Sequence, residues 1–254
     1  MKLIDTHAHI FAPEFAEDQE DMVLRAKQAQ VEQIFMPNID NTSIEAMLAL
    51  EEKHPGMCHA LMGLHPCYVK EDYQQVLYEI ESWFHKRTFK GIGEAGLDLY
   101  WDKTFFAQQQ EVLRTQCQWA KQYQIPIVLH TRDAFKETLD IVQQQQDGSL
   151  TGIFHCFSGT VEEAHLAIEA GFLLGIGGVA TFKNGGLEPV LQAVDLKHLV
   201  LETDSPYLAP VPYRGKRNEP SYLPKIAQRI AEIKSISLEE VALATTTNAT
   251  QLFA

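Results

Sequence analysis

The sequence predicts an α/β protein folded as a (β/α)8 TIM barrel with C-terminal helices after the eighth strand. Short apolar runs alternate with longer amphipathic segments over most of the 254 residues. Eight strands, each followed by a helix, within about 250 residues are what such a barrel requires. A doubly wound parallel sheet shows the same alternation and is the alternative fold. No linker interrupts the pattern, so we expect residues 1–254 to form one domain.

Eight short apolar runs, bounded by polar or turn residues, indicate the strands. Most of them end on a polar residue, a point that matters for the site. The predicted strands are Leu3 to Thr6, Gln33 to Met36, His59 to Gly63, Gly91 to Glu94, Ile127 to His130, Gly152 to His155, Phe172 to Ile176 and Leu199 to Thr203.

Helical periodicity fills most of the gaps between these runs. After the last strand, the tail from Ser221 to Ala254 adds two helical segments. The second begins at Ser237, and Glu240 three residues later completes a capping box. The helices predicted between strands are Glu17 to Gln30, Asn41 to Lys53, Asp72 to Lys86, Phe105 to Tyr123, Asp133 to Gln146 and Val161 to Ala170.

The composition, 45% hydrophobic and 22% charged without a long apolar run, is typical of a soluble globular protein rather than a membrane protein. Met1 to Ile4 leads directly into candidate site residues, which leaves no room for a signal peptide, so we expect a cytoplasmic protein. Four cysteines without a C-x-x-C spacing predict neither a disulfide framework nor a zinc ribbon.

Net charge limits the possible partners. A formal charge of −13 opposes binding of a long nucleic-acid duplex through its phosphates. Two divalent ions would supply positive charge at the point of contact, so a nuclease with a local metal site stays compatible with the sequence.

The first candidate site is the His7-x-His9 pair at the end of the first strand. Residues two apart on a strand point to the same side and lie about 6.6 Å apart, so both imidazoles can address one ion. Imidazole suits zinc, manganese, iron and nickel, and carboxylates also admit magnesium. A His-x-His pair alone is weak evidence, because such pairs also occur on exposed strands.

Further polar residues fall where later strands end. Consecutive members are separated by about one βα unit of roughly 30 residues, or by two such units at the last step. They therefore project from the same end of successive strands, which in a barrel is the active-site face. Each histidine singly could be a core residue, but four histidines and two carboxylates on one face indicate a metal centre. These six residues are His7, His9, Glu94, His130, His155 and Asp204, and His65 ends the third strand on the same face.

Six protein ligands are too many for one tetrahedral ion with an open position, so two ions fit better. Paired ions bridged by a carboxylate and a water hold both the attacking and the leaving oxygen in phosphoester hydrolysis. Glu94 lies midway in strand order between His7 and His9 on one side and His130 and His155 on the other. It is the expected bridge.

Seven ordered motifs resemble the TatD family of metal-dependent deoxyribonucleases, within the amidohydrolase-like barrel superfamily. They are DTHAHI at 5–10, GLHP at 63–66, GIGEAGLD at 91–98, LHTRDA at 129–134, FHCFSG at 154–159, LETDSP at 201–206 and RGKRNEP at 214–220. The resemblance covers the full length and implies a metal-dependent phosphodiesterase. It also implies two divalent ions, which could be magnesium, manganese or zinc. The ligands that it implies are His7, His9, Glu94, His130, His155 and Asp204.

The expected reaction is attack of a metal-activated water on phosphorus, with Asp204 as both ligand and general base. His65 is expected to contact the substrate or a ligand, and it is the next candidate base. The expected substrate is single-stranded DNA cut from an end, or a small phosphodiester. Phosphate-binding cations are expected at Arg132, Arg214, Lys216 and Arg217.

Two other hypotheses remain open at this point. A carboxylic ester or amide hydrolase, such as an aminoacyl-tRNA deacylase or a lactonase, could use the same two-metal centre, because fold and ligands do not separate these chemistries. A non-catalytic binding protein on a degenerate barrel would be indicated by a missing ligand, and none is missing.

Overall fold

Eight strands alternate with helices in the computed structural model, which describes residues 1–254. All neighbouring strands pair in parallel. The strands are β1 Leu3–Asp5, β2 Val31–Pro37, β3 Cys58–Leu61, β4 Ile92–Gly96, β5 Ile127–His130, β6 Gly152–Phe154, β7 Phe172–Ile176 and β8 Leu199–Leu201. The helices are α1 Gln19–Gln28, α2 Ile44–Lys53, α3 Tyr73–Phe84, α4 Phe106–Tyr123, α5 Phe135–Gln145, α6 Val161–Glu169, α7 Glu188–Ala193, α8 Leu223–Lys234 and α9 Leu238–Leu252.

The strands close into a barrel through two short seams. Strands β1 to β3 form one sheet and β4 to β8 another. A parallel bridge between Met62 and Ile92 joins β3 to β4, and one between Ala8 and Ser205 joins the ends of β1 and β8. The amide of Thr6 also donates to the carbonyl of Leu201 at 3.0 Å. This closure confirms the TIM barrel and excludes the doubly wound sheet, whose edges stay open.

The lower half of the barrel interior, at the amino ends of the strands, is a small apolar core. Phe253, which follows α9, stacks on Phe35 with ring centroids 3.8 Å apart. The last helix therefore closes the end of the barrel opposite the polar strand ends. The members of this cluster are Ile4, Phe35, Leu61, Val128, Ile153, Val200, Ala249 and Phe253. A second cluster of 62 buried residues lies between strands and helices and extends from Leu3 to Ala242.

Most of the predicted elements are present, with shifted ends. The capping box of Ser237 and Glu240 begins α9 as predicted. The predicted eighth strand ran to Thr203, but β8 ends at Leu201, because the Thr203 amide bonds to the carboxylate of Asp5 instead of the sheet. The short helix α7 was not among the predicted helices. No helix combines the length and apolar character that crossing a membrane requires.

Close approach of β4 to β5 depends on a glycine. Gly96 has φ +136°, and a Cβ added there would lie 2.0 Å from the carbonyl oxygen of His130. Only glycine can adopt this conformation in this space. The result is that the end of β4, which carries Glu94, lies directly against the end of β5.

Candidate metal centre

The carboxylate of Glu94 lies at the centre of a cluster of imidazoles at the carboxyl ends of the strands. Its side chain is only 2% exposed. Its Oε2 lies 3.1 Å from His7 Nε2 and 3.2 Å from His9 Nε2. Its Oε1 lies 2.8 Å from His130 Nδ1 and 3.2 Å from His155 Nε2. Each carboxylate oxygen thus faces the ring nitrogens of its own pair of predicted ligands, and Oε1 also lies 3.3 Å from His65 Nε2.

Asp204 completes the half of the cluster formed by His7 and His9. Its Oδ1 lies 3.7 Å from His7 Nε2 and 3.9 Å from His9 Nε2. The backbone amide of Asp204 donates to the carbonyl of His7 at 2.9 Å and so fixes the residue at the β1–β8 seam. No donor hydrogen-bonds to the carboxylate, which is 14% exposed. Burial raises the pKa of this carboxyl to about 6.

Hydrogen bonds assign the tautomer of His9. Its Nδ1 lies 3.1 Å from the carbonyl oxygen of Pro37. A carbonyl only accepts, so Nδ1 carries the proton and Nε2 is bare. The bare Nε2 lies 3.1 Å from His7 Nε2 and also faces Glu94. Acceptor atoms at these separations repel unless a proton or a metal cation lies between them.

The other half of the cluster follows the same logic. His130 places Nε2 at 2.8 Å from the Asp98 carboxylate, and His155 places Nδ1 at 3.2 Å from the Glu202 carboxylate. Both contacts call for an N–H on the outer nitrogen, so each ring can bind a metal only through its inner nitrogen, which faces Glu94. Carboxylate partners that orient a ligating imidazole in this way are the usual second sphere of a metal site.

His65 differs from the other histidines. Its Nδ1 accepts from the amide of Cys67 at 3.1 Å, so its proton is on Nε2. That Nε2 lies 3.3 Å from Glu94 Oε1 and donates to it. Burial lowers the pKa of His65, which keeps the ring neutral despite the nearby carboxylate. His65 is therefore a donor to the bridge rather than a ligand, and this tautomer argues against its role as reserve base.

Five carboxyl groups surround the centre without a lysine or arginine partner. Four of them are at most 2% exposed. Burying so much negative charge is costly unless cations compensate it, so this donor set fits divalent ions. The five are Asp5, Glu94, Asp98, Glu202 and Asp204.

Glu202 shows most clearly that a buried carboxylate of the centre lacks a partner. Its Oε1 accepts from the amide of Cys156 at 2.6 Å, while its buried Oε2 has no hydrogen-bond partner. A Cβ at Gly175 would lie 2.1 Å from Oε2, so the glycine makes room for this carboxylate. Sequence reasoning missed Glu202 and Asp98 as site residues. Their only signal was their position in the LETDSP and GIGEAGLD motifs.

Electrostatics favour positive charge in the cluster. Burial alone would raise the pKa of Glu94, but His65, His7 and His155 together hold that pKa well below its usual range. Burial would lower the pKa of His155, but the carboxylates of Glu202 and Glu94 raise it well above its usual value. A field that holds a proton on His155 is also one that attracts a metal cation.

The predicted phosphate-binding cations separate into two groups. Arg132, Arg214 and Lys216 are exposed and form no ion pair. Arg217 instead donates to Asp18 Oδ1 at 2.7 Å and Oδ2 at 2.8 Å. These donors hold the loop against the start of α1, and a phosphate contact by Arg217 stays a prediction.

Fold and centre together define a metal-dependent hydrolase of the barrel type. A family described as TatD related DNase matches residues 4–254, and the chain belongs to this family. The chain is 38% identical over 252 residues to the uncharacterized metal-dependent hydrolase YabD of Bacillus subtilis (strain 168), covering 99% of this chain and 98% of YabD. It is 31% identical over 255 residues to the uncharacterized metal-dependent hydrolase YjjV of Escherichia coli (strain K12), covering 99% and 98%.

Solved structures agree with this assignment. The crystal structure of YjjV, a TatD homolog from Escherichia coli K12, matches with a TM-score of 0.93 at 29% identity and covers 99% of this chain and 97% of YjjV. A TatD family hydrolase from Entamoeba histolytica shares the fold, with a TM-score of 0.84 at 22% identity and coverage of 99% and 98%. The predicted family is confirmed, and the protein is a metal-dependent hydrolase.

Proposed function

We propose that this hydrolase is a deoxyribonuclease that uses two divalent ions to cleave phosphodiester bonds from the end of single-stranded DNA. The observation that carries the proposal is the pairing at Glu94, where each oxygen faces the imidazole nitrogens of two predicted ligands. One carboxylate between two nitrogen pairs has the form of a bridge. Two ions bridged in this way suit in-line displacement at phosphorus.

The ligands divide between the two proposed ions by position. His7, His9 and Asp204 surround one side of Glu94. His130 and His155 surround the other. Mixed imidazole and carboxylate ligands suit zinc or manganese and also accept magnesium. When bound, the ions would supply positive charge for the phosphoryl oxygens and lower the pKa of a water.

The protein supplies the proton acceptor and the orientation. Asp204 is the candidate general base, because its carboxylate is more exposed than that of Glu94 and receives no hydrogen bond. His65 donates to Glu94 and holds the bridge in position. Asp98 and Glu202 hold the rings of His130 and His155.

The proposed substrate follows from the distribution of charge. The net charge of −13 disfavours a long duplex, whereas a few exposed cations are enough for two or three phosphates. Arg132, Arg214 and Lys216 supply such cations after β5 and β8. A site among the βα loops is most easily reached by a flexible single-stranded end, where no base pairs need to open. The family description as a DNase supports the same substrate.

The test compares a linear single strand with a covalently closed circle of the same sequence, in matched buffers with magnesium, manganese or zinc. We expect mononucleotides from the linear strand, little cleavage of the circle and poor cleavage of duplex DNA. Equal rates on circle and linear strand would show an endonuclease. A parallel panel of carboxylic esters, lactones and an aminoacyl-tRNA tests the competing chemistry, and faster turnover there would overturn the proposal.

Salt dependence gives a second measure. Each phosphate contact on a single strand contributes about 0.7 to the slope of log K against log salt. With two or three contacts, the binding constant should therefore fall only gently as salt rises. Lys216→Ala should make that slope shallower by about one contact, and a slope far steeper than this would indicate a more extended DNA path.

A further inference from the structure

Two aromatic side chains, Tyr100 and Trp101, are exposed in the loop that follows β4. Tyr100 is 50% exposed and Trp101 70%. Their ring centroids lie 4.9 Å apart with the rings edge to face. Adjacent large aromatic groups in contact with water are characteristic of binding surfaces, since a monomer gains nothing from exposing them together.

The loop that carries these rings is fixed by side-chain hydrogen bonds. Asp98 Oδ1 accepts from the amides of Tyr100 at 2.9 Å and Trp101 at 2.8 Å. The amide of Asp98 donates to Gln109 Oε1 at 2.9 Å. The backbone that carries the rings is therefore positioned before any ligand arrives, which reduces the entropy lost on binding.

The same Asp98 carboxylate connects this loop to the metal centre. Its second oxygen lies 2.8 Å from His130 Nε2, and the other ring nitrogen of His130 faces Glu94. Only one carboxylate separates the amides of the two aromatic residues from a candidate metal ligand. Tyr100 and Trp101 thus belong to the rim of the centre rather than to a remote surface.

A cation accompanies the rings. The guanidinium of Arg132 lies 4.2 Å from the centroid of the Tyr100 ring, and Arg132 is exposed and forms no ion pair. The amide of Leu99 donates to the carbonyl of Arg132 at 2.9 Å, which fixes the two loops together. Aromatic faces beside an unpaired cation match the repeating unit of a single strand, in which a base adjoins a phosphate.

We infer that Tyr100 and Trp101, with Arg132, form a stacking subsite for an unpaired nucleobase next to the phosphodiester at the metal centre. This inference rests on the proposed nuclease function and adds a source of preference for single strands. In a duplex the faces of a base are covered by its neighbours, so only an unpaired base offers a face to these rings. The arginine makes a nucleotide a better fit than an apolar protein surface.

The test uses two linear strands of equal length, one with normal bases and one with abasic residues near the cleaved end. Both carry the same phosphates, so only stacking differs between them. The variants are Trp101→Ala and Tyr100→Ala, and the control is Tyr78→Ala, which removes a ring that is 69% exposed on α3.

We expect the wild-type protein to favour the strand with bases through a lower KM. Trp101→Ala should raise KM for that strand by about fivefold or more, because base–aromatic stacking is a sizeable part of single-strand affinity. KM for the abasic strand and kcat should stay near wild type, and Tyr78→Ala should change neither strand. This pattern separates stacking from a general loss of structure, which would lower kcat on both strands.

Two results would overturn the inference. If the wild-type protein hydrolyses DNA but the ratio of kcat/KM for the two strands is unchanged in both ring variants, stacking fails while the nuclease function stands. If the wild-type protein hydrolyses neither strand, both proposals fail together. Gel filtration of Trp101→Ala completes the test, since a changed oligomeric state with unchanged kinetics would make the rings a contact between copies of the chain.

Discussion

The two ends of the barrel interior differ although the same strands build both. On β5, Val128 packs in the lower apolar cluster, and His130 two residues later faces Glu94. On β8, Val200 packs in the same apolar cluster, and Glu202 two residues later contacts His155. Because alternate residues of a strand share one face, a single step of the pleat changes the interior from apolar to charged.

This comparison indicates that stability and activity are separable in the barrel. The lower end contributes burial of apolar surface and no ligands, whereas the upper end concentrates carboxyl groups that oppose folding in the absence of cations. Substitutions at the charged end should act on activity and metal content, and on stability only through the metal that they release. Substitutions in the lower apolar cluster should act on the free energy of unfolding.

The largest effect is expected at the bridge. Glu94→Ala should reduce hydrolysis to background, because it removes the one group that faces both pairs of imidazoles. Metal content by elemental analysis should fall by one ion or both. Glu71→Ala, in an exposed loop, is the matched control. A Glu94→Ala protein that keeps two ions per chain would refute the bridging role.

Asp204→Asn should have the next largest effect. Asparagine keeps one coordinating oxygen but is a poor base, and general-base catalysis is worth about 10²- to 10⁴-fold, so kcat should fall by that factor while at least one ion stays bound. Asp133→Asn is a close control, since Asp133 has φ 53° and Asp204 has φ 56°. Near-normal turnover in Asp204→Asn would move the base elsewhere.

Sequence reasoning predicted the upper end of the barrel better than the contacts around it. The eight strands and the six candidate ligands followed from periodicity and spacing, which are local properties of the chain. The partners of those ligands did not, because Glu202 meets His155 and Asp98 meets His130 only through the fold. The pairing of Arg217 with Asp18 has the same origin, since 199 residues separate them.

The lower end is best tested at Phe253. Phe253→Ala should reduce the free energy of unfolding by about 3–5 kcal/mol, the usual cost of deleting a buried phenyl ring. Denaturant unfolding measures this loss, and kcat of the folded protein should be unchanged. Leu243→Ala, at a residue of α9 that is 72% exposed, should have little effect. Loss of turnover without loss of stability in Phe253→Ala would contradict the separation of the two ends.

The smallest effect is expected from Arg217, which lies in a loop after β8 but is held by ion pairs. Arg217 and Arg25 keep the pKa of Asp18 well below its usual range. A carboxyl with a lowered pKa stabilises the fold above its unfolded pKa of about 3.9, and this contribution is lost as pH falls toward the folded value.

Arg217→Ala should therefore cost at most about 1 kcal/mol at neutral pH, and the difference from wild type should shrink in acid. Urea unfolding of both proteins at pH 7 and pH 3 measures this difference in the free energy of unfolding. Lys216→Ala, next in the chain and without an ion pair, should leave stability unchanged and raise KM for DNA. A larger rise in KM for Arg217→Ala than for Lys216→Ala would support the predicted phosphate contact.

The five carboxyl groups of the centre also make folding a function of cation supply. An ion that binds the folded chain but not the unfolded chain adds about 1.4 kcal/mol of stability for each tenfold rise in its free concentration above Kd. The melting temperature should therefore climb steadily in a titration of the metal. Through this linkage, the amount of folded protein reports the available divalent metal.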